Sequence, residues 1–126
     1  MPPRLVAAIP KLASLDMERS LAFFERLGFR RSGNWGDYGI VARDGVQLHF
    51  WLCNDPRTPT ETGCRITVEG IEDLYAQHAA QGVIHPNGAL AAKPWGVWEF
   101  SILDPDGNLV TFQQDVDAPP PATPPA

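Results

Sequence analysis

His49 and Glu99 are the side chains in this 126-residue chain best suited to acid and base chemistry, because each lies in a segment that alternates apolar and polar residues. In "DGVQLHFWLC", residues 44 to 53, Val46, Leu48, Phe50 and Leu52 share one strand face and Gln47, His49, Trp51 and Cys53 the other. In "WEFSIL" Glu99 and Ser101 alternate with Phe100 and Ile102. In "DGNLVTFQQ" Leu109, Thr111 and Gln113 oppose Val110 and Phe112. One inward Glu and one inward His could carry a metal-free proton transfer, but hydrogen-bonded polar groups of no catalytic role fit the same pattern. His78 lies on a helical segment and His85 beside Pro86, and neither has a catalytic partner in view. Cys53 and Cys64 have neither metal-site spacing nor a disulfide framework, and are expected to be reduced, packed thiols of a cytoplasmic protein.

The aromatic residues suggest binding more than catalysis. Trp35, Tyr38, Trp51, Trp95 and Trp98 all fall in strand or loop segments, where a planar ligand could stack on them. Any one of these rings serves as well to fill a core or an interface, so the set carries the argument. Asp37, Asp55, Glu61 and Glu99 offer negative charge to a cationic ligand.

The elements that must position these groups come twice. Asp16 caps a helical run in which Met17, Leu21, Phe24 and Leu27 share a face until Gly28 ends it. Ile71, Leu74, Tyr75 and His78 repeat that phase, and Gly82 follows Gly28 by 54 positions. The Asp-Gly turns of "DGVQLHF" and "DGNLVTF" stand 62 apart, and the eight-residue difference fits a loop insertion around "ALAAKPWG". The expected fold is α+β: two βαβββ modules, about 5–53 and 63–114, forming a curved, mostly antiparallel sheet cleft with helices on the outer face. Together they make one domain, 1–114, and the Pro-rich tail 115–126 is expected to be disordered.

Ten basic against fifteen acidic residues leave a net charge of -5 without a basic cluster, which argues against nucleic acid as a partner. No apolar run reaches membrane-spanning length and the N-terminus lacks a signal-peptide pattern, so a soluble, unexported protein is expected.

The stretches "SLAFFERLGF" (20–29) and "KPWGVWEFSILDPDGNLVTFQQ" (93–114), with the two-module layout, resemble the glyoxalase, bleomycin resistance and extradiol dioxygenase superfamily, also called vicinal oxygen chelate proteins. The resemblance spans about residues 5 to 114. Within it "IPKLASLDMERSLAFFERLGF" is most similar to the bleomycin resistance branch, through Pro10, Phe23, Phe24, Glu25 and Arg26. That branch implies a homodimer, not an enzyme, that sequesters an antibiotic in clefts at the subunit interface. It also implies exchange of N-terminal strands near Pro10, and no metal or other cofactor. Metal-dependent members of the superfamily imply ligands at the positions of Ile9, His49, Gly63 and Thr111, of which only His49 is a customary one. The expected function is therefore metal-independent binding of a planar or cationic, bleomycin-like antibiotic by Trp35, Tyr38, His49, Trp51, Trp95, Trp98, Glu99 and Thr111. A metal-dependent glyoxalase or dioxygenase is the alternative, and a peptide-accepting interaction partner is a third reading.

Overall fold

The computed structural model describes residues 1–116. Its strands form two mixed four-stranded sheets of identical order, β1-β4-β3-β2 and β5-β8-β7-β6. The first comprises β1 (Lys11–Ser14), β2 (Arg30–Asn34), β3 (Tyr38–Arg43) and β4 (Val46–Leu52). The second comprises β5 (Gly63–Thr67), β6 (Ala91–Lys93), β7 (Val97–Leu103) and β8 (Leu109–Asp115). In each sheet the hairpin-linked strands run antiparallel, while the strand preceding the helix pairs parallel with the last strand, as the crossover through α1 (Met17–Arg26) or α2 (Ile71–Ala80) requires. The fold is α+β, and the internal repeat read from the sequence is a repeat of topology.

The Asp16 carboxylate accepts the Arg19 N–H and opens α1, with Glu18 in its first turn and Arg26 in its last to complement the helix dipole. Met17, Leu21 and Phe24 bury the face that the spacing predicts. This face lies close on β3: a Cβ at Gly39 would stand 2.7 Å from Met17 Sδ and 3.0 Å from a Leu21 methyl. α2 begins at Gly70, which supplies no side-chain cap, and the Gln114 Oε1 accepts the Ile71 N–H instead. The helix-facing residues of both sheets, among them Leu12, Leu48, Phe50, Ile66, Phe100, Val110 and Phe112, belong to one hydrophobic core. Arg26 of α1 reaches Gln81 after α2 at 3.3 Å. Both sheets therefore turn their helix sides toward a shared interior and their other faces outward.

Two expectations about the chain ends change. The first strand begins at Lys11, not near residue 5: the Pro10 carbonyl still accepts the His49 N–H of β4 at 3.0 Å, but residues 1–9 are exposed, with Leu5, Val6 and Ile9 at 100%, 82% and 51%. Asp115, expected in the tail, instead ends β8 opposite Val97, and the Val116 N–H donates to the Gly96 carbonyl. The rest of the expected tail, 117–126, lies outside the described residues. Among the described residues no helix is long and apolar enough to cross a membrane.

His78 is packed edge-on against Phe100 and Phe112, with its Nε2 unpartnered. Burial, with a smaller effect of the Arg43 charge, lowers its pKa to about 4 from an ordinary 6.5. Between those values the unfolded chain binds a proton that the folded chain refuses. His78 thus withdraws no stability above pH 6.5 and progressively withdraws it as the pH falls toward 4, up to about 3 kcal/mol. In urea titrations, His78→Leu is expected to flatten the loss of stability across that window; a slope identical to the parent's would contradict the assignment.

Candidate functional site

On the open face of the first sheet the strand register sets Lys11 beside His49 and Ala13 beside Trp51, with Ile40 and Tyr38 on their far side. The Tyr38 hydroxyl lies 2.7 Å from His49 Nδ1, and His49 Nε2 lies 3.0 Å from Gln47 Oε1. The imidazole is thus held between two polar partners, one at each ring nitrogen. Trp51 continues this face one strand repeat beyond His49 and is half-buried. Trp35 stands on the β2–β3 turn, 64% exposed, with its ring folded over Gly33.

The second sheet presents a polar network. Arg65 Nη1 donates to Glu99 Oε1 at 2.9 Å and to Gln113 Oε1 at 2.8 Å, Trp95 Nε1 donates to the same Glu99 oxygen at 3.2 Å, and Gln113 Nε2 donates to Thr67 Oγ1 at 3.1 Å. Behind it Thr111, buried, shares a 2.8 Å hydroxyl hydrogen bond with Ser101. The Trp95 indole, on the β6–β7 turn, stays 63% exposed. Tyr38, His49 and Trp51 thus form one group, and Trp95, Glu99 and Thr111 another. They lie on different sheets, and among the described residues no hydrogen bond joins them.

Trp98 does not belong to either group. In β7 it has the parity of Phe100 and Ile102, so it turns to the helix side and packs against the core beside Ile71 and Gln114. Its placement with Glu99 ignored that neighbours in a strand face opposite ways. Two of the expected free carboxylates are also committed: Glu99 to Arg65, and Asp55 to Arg57, whose hydrogen bonds hold its pKa low. Asp37 and Glu61 are exposed. The sequence reading passed over Lys11 and Arg65 as site residues. They occupy equivalent positions, 54 apart, opposite His49 and Thr111, and the repeat offset with strand alternation is the signal that locates them.

The positions at which the resemblance implies metal ligands, Ile9, His49, Gly63 and Thr111, do not fit a divalent ion in this chain. Ile9 precedes β1, and any side chain at Gly63 would collide with the Leu109 carbonyl oxygen. Thr111 is engaged by Ser101, and a cationic side chain stands opposite both His49 and Thr111. No reaction step through a metal follows from these residues. The thiols offer no nucleophile either: burial, reinforced by Asp104, pushes Cys64 up to about 11, and the buried Cys53 points at the Asp55 carbonyl. The arrangement offers exposed indoles, a fixed imidazole and a buttressed guanidinium, which is equipment for holding a ligand.

No protein-family model matches the chain. Over 130 aligned residues it is 30% identical to the bleomycin resistance protein of Geobacillus stearothermophilus, covering 89% of this chain and 98% of that protein. Its structure matches the crystal structure of a bleomycin resistance determinant encoded on the transposon Tn5, with a TM-score of 0.75 and 26% identity over 88% of this chain and 98% of the other. A bleomycin-binding protein from bleomycin-producing Streptomyces verticillus, complexed with copper(II)-bleomycin, matches with a TM-score of 0.74 and 26% identity, covering 88% of this chain and 97% of that one. With nearly the full length of such a relative aligned at this identity, the chain belongs to the bleomycin resistance protein family.

Proposed function

We propose that this protein binds and sequesters a bleomycin-like antibiotic, without a metal of its own, as a cytoplasmic homodimer. The observation that carries the reading is the 30% identity to a bleomycin resistance protein over 98% of its length. The geometry supports it, because each open sheet face carries half of a plausible ligand wall. In the proposed dimer Tyr38, His49 and Trp51 of one copy face Trp95, Glu99 and Thr111 of the second, and Trp35 adds a rim. The exposed arm of residues 1–9 crosses to the other copy, so that Leu5, Val6 and Ile9 lose their contact with water.

Stacking between indoles is worth about 0.5–1.5 kcal/mol per ring pair beyond area burial, and Arg65, held in place by Glu99 and Gln113, adds a planar donor surface. Two such rings and a closed dimer seam suffice for micromolar or tighter binding without covalent chemistry. Tryptophan fluorescence titrated with metal-free bleomycin tests this. Saturable quenching is expected, and Trp95→Ala and Trp51→Ala are each expected to weaken it about 10- to 100-fold, whereas Trp98→Phe leaves it nearly unchanged. The absence of saturable quenching in the folded protein would contradict the proposal.

A further inference from the structure

Besides the shared core, the internal repeat gives the two modules two equivalent turn-to-helix junctions, and among the described residues only one of them is sealed. At the sealed one the β7–β8 turn docks beside the start of α1. The buried Asp106 carboxylate pairs with Arg19 and accepts from Leu15 N–H at 3.0 Å and Ser20 Oγ at 3.3 Å, while Asn108 Nδ2 donates to the Ala13 carbonyl at 2.8 Å. At the other, the β3–β4 turn faces the start of α2 across a groove of about 630 Å³.

The repeat offsets explain the difference. Helix positions 54 on from Leu15, Arg19 and Ser20 are Glu69, Asp73 and Leu74, and turn positions 62 before Asp106 and Asn108 are Asp44 and Val46. Where the sealed junction has an arginine on a carboxylate, the open one sets two carboxylates on the same groove. Where it has a hydroxyl and an amide, the open one has aliphatic side chains. Like charges and missing donors leave the gap unfilled.

We propose that this groove is a second small-molecule site, for an amphipathic organic cation. Its volume lies in the range of about 300–1000 Å³ usual for such sites. Phe29, Val46, Leu74 and Phe112 give it an apolar floor, while Asp44, Glu69 and Asp73 give it an acidic rim. Among the described residues the one cation lining it, Arg43, donates to the Leu27 carbonyl at 2.7 Å and pairs with the largely exposed Asp44 at 3.6 Å, and a single guanidinium does not balance three carboxylates. An ammonium group between Asp44 and Asp73, with its hydrocarbon on the floor, would supply what Arg19 supplies at the sealed junction.

Backbone amide NMR of the full chain, titrated with 3-phenylpropylammonium and with the uncharged 3-phenylpropanol, tests the site. Saturating shifts at Val46 and across 68–74 are expected for the amine, with the alcohol weaker by at least about fivefold and the Asp44→Asn, Asp73→Asn double variant weaker toward the amine by about tenfold or more. Asp73→Arg, which restores the sealed junction's charge pattern, is expected to abolish binding and to raise Tm by about 3–5 °C. Shifts centred on Trp51 or Thr111, indifference to the double variant, or no saturation below about 10 mM amine would each overturn the proposal.

Discussion

Asp106→Ala is expected to lower the unfolding free energy by about 2–4 kcal/mol, a large part of the ~5–15 kcal/mol that holds a domain together. The carboxylate is fully buried and accepts hydrogen bonds from the Leu15 backbone and from Ser20 and Arg19 side chains. Its removal leaves a partly buried N–H unsatisfied, which alone costs about 1–3 kcal/mol. Arg19, half exposed, can turn to water, so the lost ion pair adds little. Asp44, the equivalent turn residue of the first module, is about 90% exposed, and Asp44→Ala is expected to stay within about 0.5 kcal/mol of the parent. Urea midpoints for the two variants check this. Equal effects would mean that the modules are not joined through the Asp106 junction.

The second large effect is expected from removal of residues 1–9. None of these side chains is buried in one copy of the chain, so their loss should leave the thermal stability of the single folded unit intact. If Leu5, Val6 and Ile9 pack on a second copy, each forfeits about 1.5–3 kcal/mol at most when deleted. A dimer dissociation constant raised more than about 100-fold, with ligand binding lost in parallel, is therefore expected from sedimentation and fluorescence. An unchanged dissociation constant would contradict arm exchange, whatever became of the ligand.

Much of this architecture was legible in the residues because it rests on local patterns. The Asp16 cap and the stops at Gly28 and Gly82 bound the helices, and the alternation in "VQLHFW" and "LVTFQ" assigns His49 and Thr111 to the faces opposite Phe50 and Phe112. Trp98 was misplaced by grouping aromatic residues by region, when strand parity had already separated it from Glu99. Arg65 was passed over for a different reason. Its partners Glu99 and Gln113 come from two other strands, and only the register of β5, β8 and β7 brings the three side chains together. The start of the first strand at Lys11 depends on pairing as well: β1 exists only where β4 runs alongside it.

The placement of the faces is what supports the proposed second copy. The helix sides of both sheets share the interior, so the Tyr38–His49 pair and the Trp95–Glu99–Arg65 network point outward from it. In the proposed dimer the outward face of one copy closes on that of the other, and the exposed residues 1–9 are the segment proposed to secure the pair.

The central claim is that this protein sequesters a bleomycin-like antibiotic, and isothermal titration calorimetry of the intact protein with metal-free bleomycin tests it most directly. The account predicts saturable heat with one antibiotic per chain and a Kd of about 1 μM or tighter. Folded protein that gives no saturable heat with the antibiotic would contradict it.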